Sequence, residues 1–117
     1  MRVFRVKPDT TASELIEYDA LCRASSRLFS GLLLDTFVDA YGGAGKVFDW
    51  SLIPKDLAHR AVLSGGLNAQ NVSDAIHRVR PYAVDVSSGI EVPGARGVKD
   101  HARMAAFVRA VRAADAE

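Results

Sequence analysis

Two short strings carry residue types that can hold an anion. Leu63-Ser64-Gly65-Gly66-Leu67-Asn68 and Asp85-Val86-Ser87-Ser88-Gly89 each close an apolar run with small residues before a helical stretch or turn. Glycine lets the backbone approach a ligand closely, and the free amides at the start of a helix point at negative charge. Two such loops on neighbouring parallel strands would converge on one dianion. The expected ligand is therefore a phosphorylated small molecule, held by Ser64, Gly65, Gly66, Ser87, Ser88 and Gly89. Ordinary strand-to-helix turns use Gly and Ser too, and either loop taken singly fits that reading equally well. Their succession favours phosphate.

The second chemical signal is Leu32-Leu33-Leu34-Asp35, a carboxylate closing a continuous apolar run. Period-two alternation puts Leu33 and Asp35 on one face of a strand, with Leu32 and Leu34 on the other. An uncompensated carboxylate costs desolvation there, so Asp35 is either a general acid or a hydrogen-bond acceptor for the loop that follows. The residue pattern leaves both open. Tyr41-Gly42-Gly43-Ala44-Gly45-Lys46 comes next and lacks the G-x-x-x-x-G-K-S/T spacing of a P-loop. Gly42, Gly43 and Gly45 instead read as a flap beside the strand-end Asp, with Lys46 meeting an anion or staying solvated.

The elements that must position these residues alternate strand and helix. Val3, Phe4 and Val6 form a β-prone run, and Thr11-Ala12-Ser13-Glu14 is a capping box opening a helix with Leu15, Tyr18 and Cys22 on its apolar stripe. The run Leu32-Leu33-Leu34-Asp35 is the second strand; a wholly apolar run suits a strand covered on both faces. Asp49 is an N-cap candidate, Trp50 a packing anchor for the flap, and a short helix spans about residues 51–59. Ala61-Val62-Leu63 is the third strand. Asn68 then caps a helix carrying Val72, Ala75, Ile76 and Val79, with His77 on its polar side, and Pro81 ends it. Tyr82-Ala83-Val84-Asp85-Val86 is the fourth strand, with Ala83 and Asp85 on one face. Asp100 caps a last helix whose Met104, Phe107, Val108 and Val111 form the apolar face, worth on the order of 6–12 kcal/mol before entropy is charged. The result is four parallel β-α units with no linker between them.

Size and charge restrict the function further. The chain of 117 residues with 49% hydrophobic content supports one domain with a real core. A net charge of +1 with interspersed signs argues against nucleic-acid binding. No apolar run approaches the roughly 20 residues that cross a bilayer, and residues 1–6 have no signal-peptide core. The single Cys22 makes no intrachain disulfide and fits a reducing cytoplasm; lying on a helix stripe without an activating neighbour, it reads as a buried structural thiol. His59, His77 and His101 have no metal-ligand spacing, so no metal is expected.

These strings, in this order, resemble a known family. Leu32-Leu33-Leu34-Asp35-Thr36, Gly42-Gly43-Ala44-Gly45-Lys46-Val47-Phe48-Asp49-Trp50, Leu63-Ser64-Gly65-Gly66-Leu67, Asn71-Val72, Asp85-Val86-Ser87-Ser88-Gly89-Ile90-Glu91 and Gly97-Val98-Lys99-Asp100 are similar to the C-terminal half of phosphoribosylanthranilate isomerase. The resemblance implies an α/β fold, half of a (β/α)8 TIM barrel, in which residues 1–117 form a single C-terminal half-barrel domain corresponding to barrel units 5–8. It implies a cofactor-free Amadori rearrangement of N-(5-phosphoribosyl)anthranilate to its 1-deoxyribulose isomer. Asp35 would be the general acid that protonates the ribose ring oxygen. Ser64, Gly65, Gly66, Ser87, Ser88 and Gly89 would hold the phosphate, with Asp85 at the site floor and Gly42, Gly43 and Gly45 in the loop beside it.

The family's general base, a Cys in a Lys-x-Cys-Gly motif, has no counterpart here, and Cys22 does not fill that position. Four strands in an open sheet leave two unpaired edges, so the expected partner is a complementary N-terminal half-barrel or a second copy. The alternative is a non-catalytic phosphate-binding half-barrel that self-associates. Gly65→Val is expected to obstruct phosphate without unfolding the core.

Overall fold

The computed structural model describes residues 1–36 and 47–117. The expected flap residues Gly42, Gly43 and Gly45, and Lys46 with them, lie outside the described residues. Strand β1 (Arg2–Val6) leads to helix α1 (Ala12–Ser25), followed by β2 (Leu32–Thr36). After a 3₁₀ turn (Trp50–Leu52) come α2 (Lys55–Ala58), β3 (Val62–Leu63), α3 (Val72–Val79) and β4 (Ala83–Val84). A second 3₁₀ turn (Ser88–Ile90) precedes α4 (His101–Asp115). The four strands form one sheet in the order β1-β2-β3-β4, every pair parallel. The chain is therefore an α/β fold with four parallel strands, joined in sequence as the alternating pattern requires.

Local chemistry starts the helices where it was expected to in two cases. Thr11 accepts from the Glu14 amide while the Glu14 carboxylate accepts from the Thr11 amide, the reciprocal capping box. Asp100 accepts from the amides of Ala102 and Arg103 and caps α4. The third case differs. Asn68 accepts from the Gln70 and Asn71 amides and closes a turn, and α3 begins only after Asn71. An Asn side chain satisfies a tight turn as readily as a helix start, and here the turn takes it.

The register shows which face is covered. Leu32, Leu34 and Thr36 of β2 are buried, as are Val6 and Leu63, and they join Leu15, Val72, Ala75 and Phe107 in the core. Phe4 adds a tilted ring contact to Tyr18 of α1, with centroids 5.4 Å apart. The opposite face, with Val3, Arg5, Leu33, Asp35, Val62 and Ala83 in register, is half-buried to exposed; Val3 is 54% accessible. Coverage of β2 on both faces, expected from its apolar run, is thus not found among the described residues.

Helix α4 also turns differently from expectation. Phe107 and Ala114 are buried and Val111 packs beside them, while Met104 and Val108 are exposed. The apolar set spans more than one helix face, and contact with α3 selects the 107/114 side. The burial gain of this helix is correspondingly below the sequence-based figure.

Asp19, one turn before Cys22 on α1, is buried with 3% of its side chain accessible. Its two oxygens accept from Arg60 Nη1 and Nη2 at 3.2 and 3.1 Å, and Arg23 Nε lies 3.1 Å away. This bidentate pair ties α1 to the turn entering β3. Arg60→Met leaves the buried carboxylate with only the exposed Arg23. A loss of about 2–3 kcal/mol in urea-unfolding stability is expected, somewhat below the ~3–5 kcal/mol of a fully stranded charge. The double variant Asp19→Leu/Arg60→Met should recover most of it.

Candidate functional site

At the C-terminal ends of β2, β3 and β4 the strands stop and the chemistry-bearing residues begin. Asp35 and Thr36 end β2, residues 64–66 follow β3, and residues 85–89 follow β4. Because the strands are parallel and in register, all three ends fall on one edge of the sheet. Ligands in open parallel sheets gather at that edge because the loops leaving it are free to vary.

The β3 loop folds back onto β2. Gly65 and Gly66 have φ values of 85° and 75°, in the left-handed region that favours glycine. A Cβ on Gly65 would overlap the Thr36 amide nitrogen and lie 2.5 Å from Asp35 Oδ1 and 2.7 Å from Thr36 Oγ1. The loop backbone therefore runs directly against the half-buried Asp35 carboxylate. Thr36 Oγ1 donates to the Gly65 carbonyl at 3.3 Å, and Asn71 Nδ2 donates to the Gly66 carbonyl at 3.0 Å. With its carbonyls engaged from both sides, the loop is held in shape. Gly65→Val would strike backbone and Asp35 rather than only bar a ligand, so the expectation of an undisturbed core is corrected.

The β4 loop packs onto the β3 loop. Ser64, itself buried, donates from Oγ to Asp85 Oδ2 at 3.0 Å. A Cβ on Gly89 would overlap the Leu67 carbonyl oxygen. Among the described residues, the amides of Gly65, Gly66, Ser88 and Gly89 donate to no acceptor. The sequence-expected residues Asp35, Ser64, Gly65, Gly66, Asp85 and Gly89 are thus brought together, with Ser87 and Ser88 exposed beside them.

Further residues support the site without having been singled out by type. Lys99 Nζ donates to the Ser87 carbonyl at 2.9 Å and to Glu91 Oε2 at 3.0 Å. The Lys99 hydrogen bond is the main reason the Glu91 carboxyl is held below the usual carboxylate range. Thr36 lies one residue past Asp35, where strand alternation turns it to the buried face, and nothing in the spacing of Lys99 marks it. Asp49 accepts from the Ser51 hydroxyl and amide at 2.6 and 3.0 Å and caps the 3₁₀ turn, as expected, and the hydroxyl bond is the main reason its carboxyl is held low. Trp50 packs against the core. His59 and His101 are exposed and His77 half-buried, its Nε2 2.7 Å from a Glu117 carboxylate oxygen. Among the described residues, no helix is long and apolar enough to cross a membrane.

A family profile for N-(5'-phosphoribosyl)anthranilate isomerase matches residues 3–110. The N-(5'-phosphoribosyl)anthranilate isomerase of Herminiimonas arsenicoxydans is 64% identical over 116 residues, covering 99% of this chain and 50% of that protein. The phosphoribosyl anthranilate isomerase of Thermococcus kodakaraensis superimposes with a TM-score of 0.65 at 33% identity, over 94% of this chain and 50% of that one. A phosphoribosyl anthranilate isomerase in complex with reduced 1-(o-carboxyphenylamino)-1-deoxyribulose 5-phosphate gives a TM-score of 0.61 at 38% identity, over 95% and 48%. The chain spans about half the length of the curated relatives it matches.

Proposed function

The chain belongs to the N-(5'-phosphoribosyl)anthranilate isomerase family, and from that premise we propose that it supplies the acid and phosphate-binding side of an isomerase of tryptophan biosynthesis. Residues 1–117 act as a single half-barrel domain equivalent to barrel units 5–8. The substrate is N-(5-phosphoribosyl)anthranilate, in keeping with the phosphorylated analogue bound by one structural neighbour. The observation that carries the reading is the contact of three strand ends: the Gly65 backbone against Asp35, Ser64 bonded to Asp85, and Gly89 against the Leu67 carbonyl.

Each residue has a task in that reaction. The amides of Gly65, Gly66, Ser88 and Gly89 donate to the phosphate oxygens, and the hydroxyls of Ser64, Ser87 and Ser88 border them. Asp85 keeps the Ser64 hydroxyl oriented from the site floor. Asp35 gives its proton to the ribose ring oxygen as the C1–O bond breaks, and the anilino nitrogen lone pair forms the C1=N bond of an open-chain iminium. A base then removes the C2 proton to give the enolamine, which tautomerises to the ketone. No cofactor enters this proton bookkeeping.

The base comes from a second β/α array. The half-buried face with Leu33 and Val62 and, among the described residues, the unpaired edges of β1 and β4 call for one, either a complementary N-terminal half-barrel or another copy of the chain. The accessible Val3 and half-buried Leu33 on the open face also fit a second reading, a phosphate-binding half-barrel without turnover that self-associates. A fluorescence turnover assay with phosphoribosylanthranilate decides between them. The chain is assayed alone and after mixing with the first four β/α units of the Herminiimonas arsenicoxydans relative. Turnover in the mixture only is the expected result. Turnover by the isolated chain would overturn the assignment of the base, and silence in both would leave the non-catalytic reading.

A further inference from the structure

Residues 91–99 form a small hairpin behind the β4 loop. Glu91 and Lys99 face each other in an antiparallel bridge, and the Val92 amide donates to the Val98 carbonyl at 2.8 Å. The Asp100 amide returns to the Ile90 carbonyl at 2.7 Å, so the hairpin is anchored at the start of α4. From this base Lys99 reaches forward to the Ser87 carbonyl while the Glu91 carboxylate holds its ammonium. The Ile90 amide donates to that same Ser87 carbonyl. Glu91 has 15% of its side chain accessible and Lys99 39%, so the carboxylate is the better shielded member of the pair.

We infer that Lys99 and Glu91 are positioning residues that lock the Ser87 peptide and so hold the Ser88 and Gly89 amides in the geometry that receives the substrate phosphate. The inference rests on the phosphate reading of these loops. The physical reason is that the loop itself is short and has few bonds of its own. Ile90 and Glu91 donate back to Ser87 and Ser88 at 3.4 and 3.1 Å, the longer being at the limit of a hydrogen bond. The charge-assisted bond from Lys99 is shorter and stronger than either. A peptide whose carbonyl is gripped from behind cannot flip, and its neighbouring amides keep one direction before ligand arrives. Lys99 touches the loop backbone and not the reacting atoms.

The test uses ¹⁵N-labelled chain, amide hydrogen exchange without ligand, and titration with inorganic sulfate, a dianion across the working pH range. In Lys99→Met, exchange of the Ile90 amide should rise and sulfate affinity, read at Ser88 and Gly89, should fall, each roughly tenfold. Lys99→Arg should restore both substantially. Glu91→Ala separates holding from charge. It raises the net charge by one, so a lysine acting only through its charge predicts tighter sulfate binding, whereas a clamp predicts weaker binding. Tighter binding in Glu91→Ala, or unchanged Ile90 exchange in Lys99→Met, overturns the inference. An unaltered chain whose amides at 65, 66, 88 and 89 ignore sulfate overturns the phosphate reading instead, and exchange alone then judges the clamp.

Discussion

Asp35→Asn, assayed in the mixture with a complementary half-barrel, is expected to lower kcat by about 10²–10⁴-fold. Asparagine preserves the shape and the hydrogen-bonding reach of the side chain but has no proton to give the ring oxygen. The proposed phosphate contacts lie on the β3 and β4 loops, so KM and sulfate affinity should change by less than about threefold. That split between kcat and KM is the informative readout. The Gly65 backbone stands close against Asp35 Oδ1 at the site edge. A variant that loses affinity and turnover together would place Asp35 in binding rather than proton transfer, and full activity in Asp35→Asn would remove it from the mechanism.

Gly65→Ala should be among the most destabilising single-methyl changes available in this chain. The left-handed φ of 85° costs a non-glycine residue about 1–2 kcal/mol, and the added Cβ overlaps the Thr36 amide, which as backbone has little room to yield. A loss of about 3 kcal/mol, roughly 10 °C in Tm, is expected. Gly94→Ala is the internal control. Gly94 has a similar φ of 77° but nothing within 4 Å of the new Cβ, so it should show the backbone strain alone, about 1 kcal/mol. Equal losses in the two variants would mean that the close approach of the β3 loop to β2 has been misplaced. In the assembled enzyme Gly65→Ala should also depress turnover beyond its effect on folding, since the methyl displaces Asp35.

These two residues mark how far the site could be read from residue types. Asp35 and the Gly-rich loops were legible because strand ends and left-handed turns leave local marks: alternation, a terminal carboxylate, paired glycines. That the loops meet was an expectation, and the contact of Gly89 with Leu67 and of Ser64 with Asp85 is what the folded chain adds. Phosphate and acid roles remain assignments of chemistry to that geometry, which the turnover and sulfate experiments address.

What the sequence by itself determined is local. The Thr11/Glu14 capping box and the Asp100 cap bond residues within three positions of one another, so the chain reveals them without its fold. That Leu32 and Leu34 share one face of β2 follows from a period of two, while the burial of that face rather than both was decided by the fold. Tertiary structure decided whatever depended on a partner distant in sequence or on a choice between equally good local options. Asp19 and Arg60 are 41 residues apart, and no pattern on α1 announces a buried carboxylate awaiting a guanidinium. Lys99 finds the Ser87 carbonyl only because the 91–99 hairpin folds back. Asn68 was free to cap a helix or close a turn, and Met104 and Val108 were free to face inward until α3 took the side of α4 that bears Phe107 and Ala114. Short-range hydrogen bonding is written into adjacent residue types, whereas the face a helix buries is settled by the surface that arrives against it.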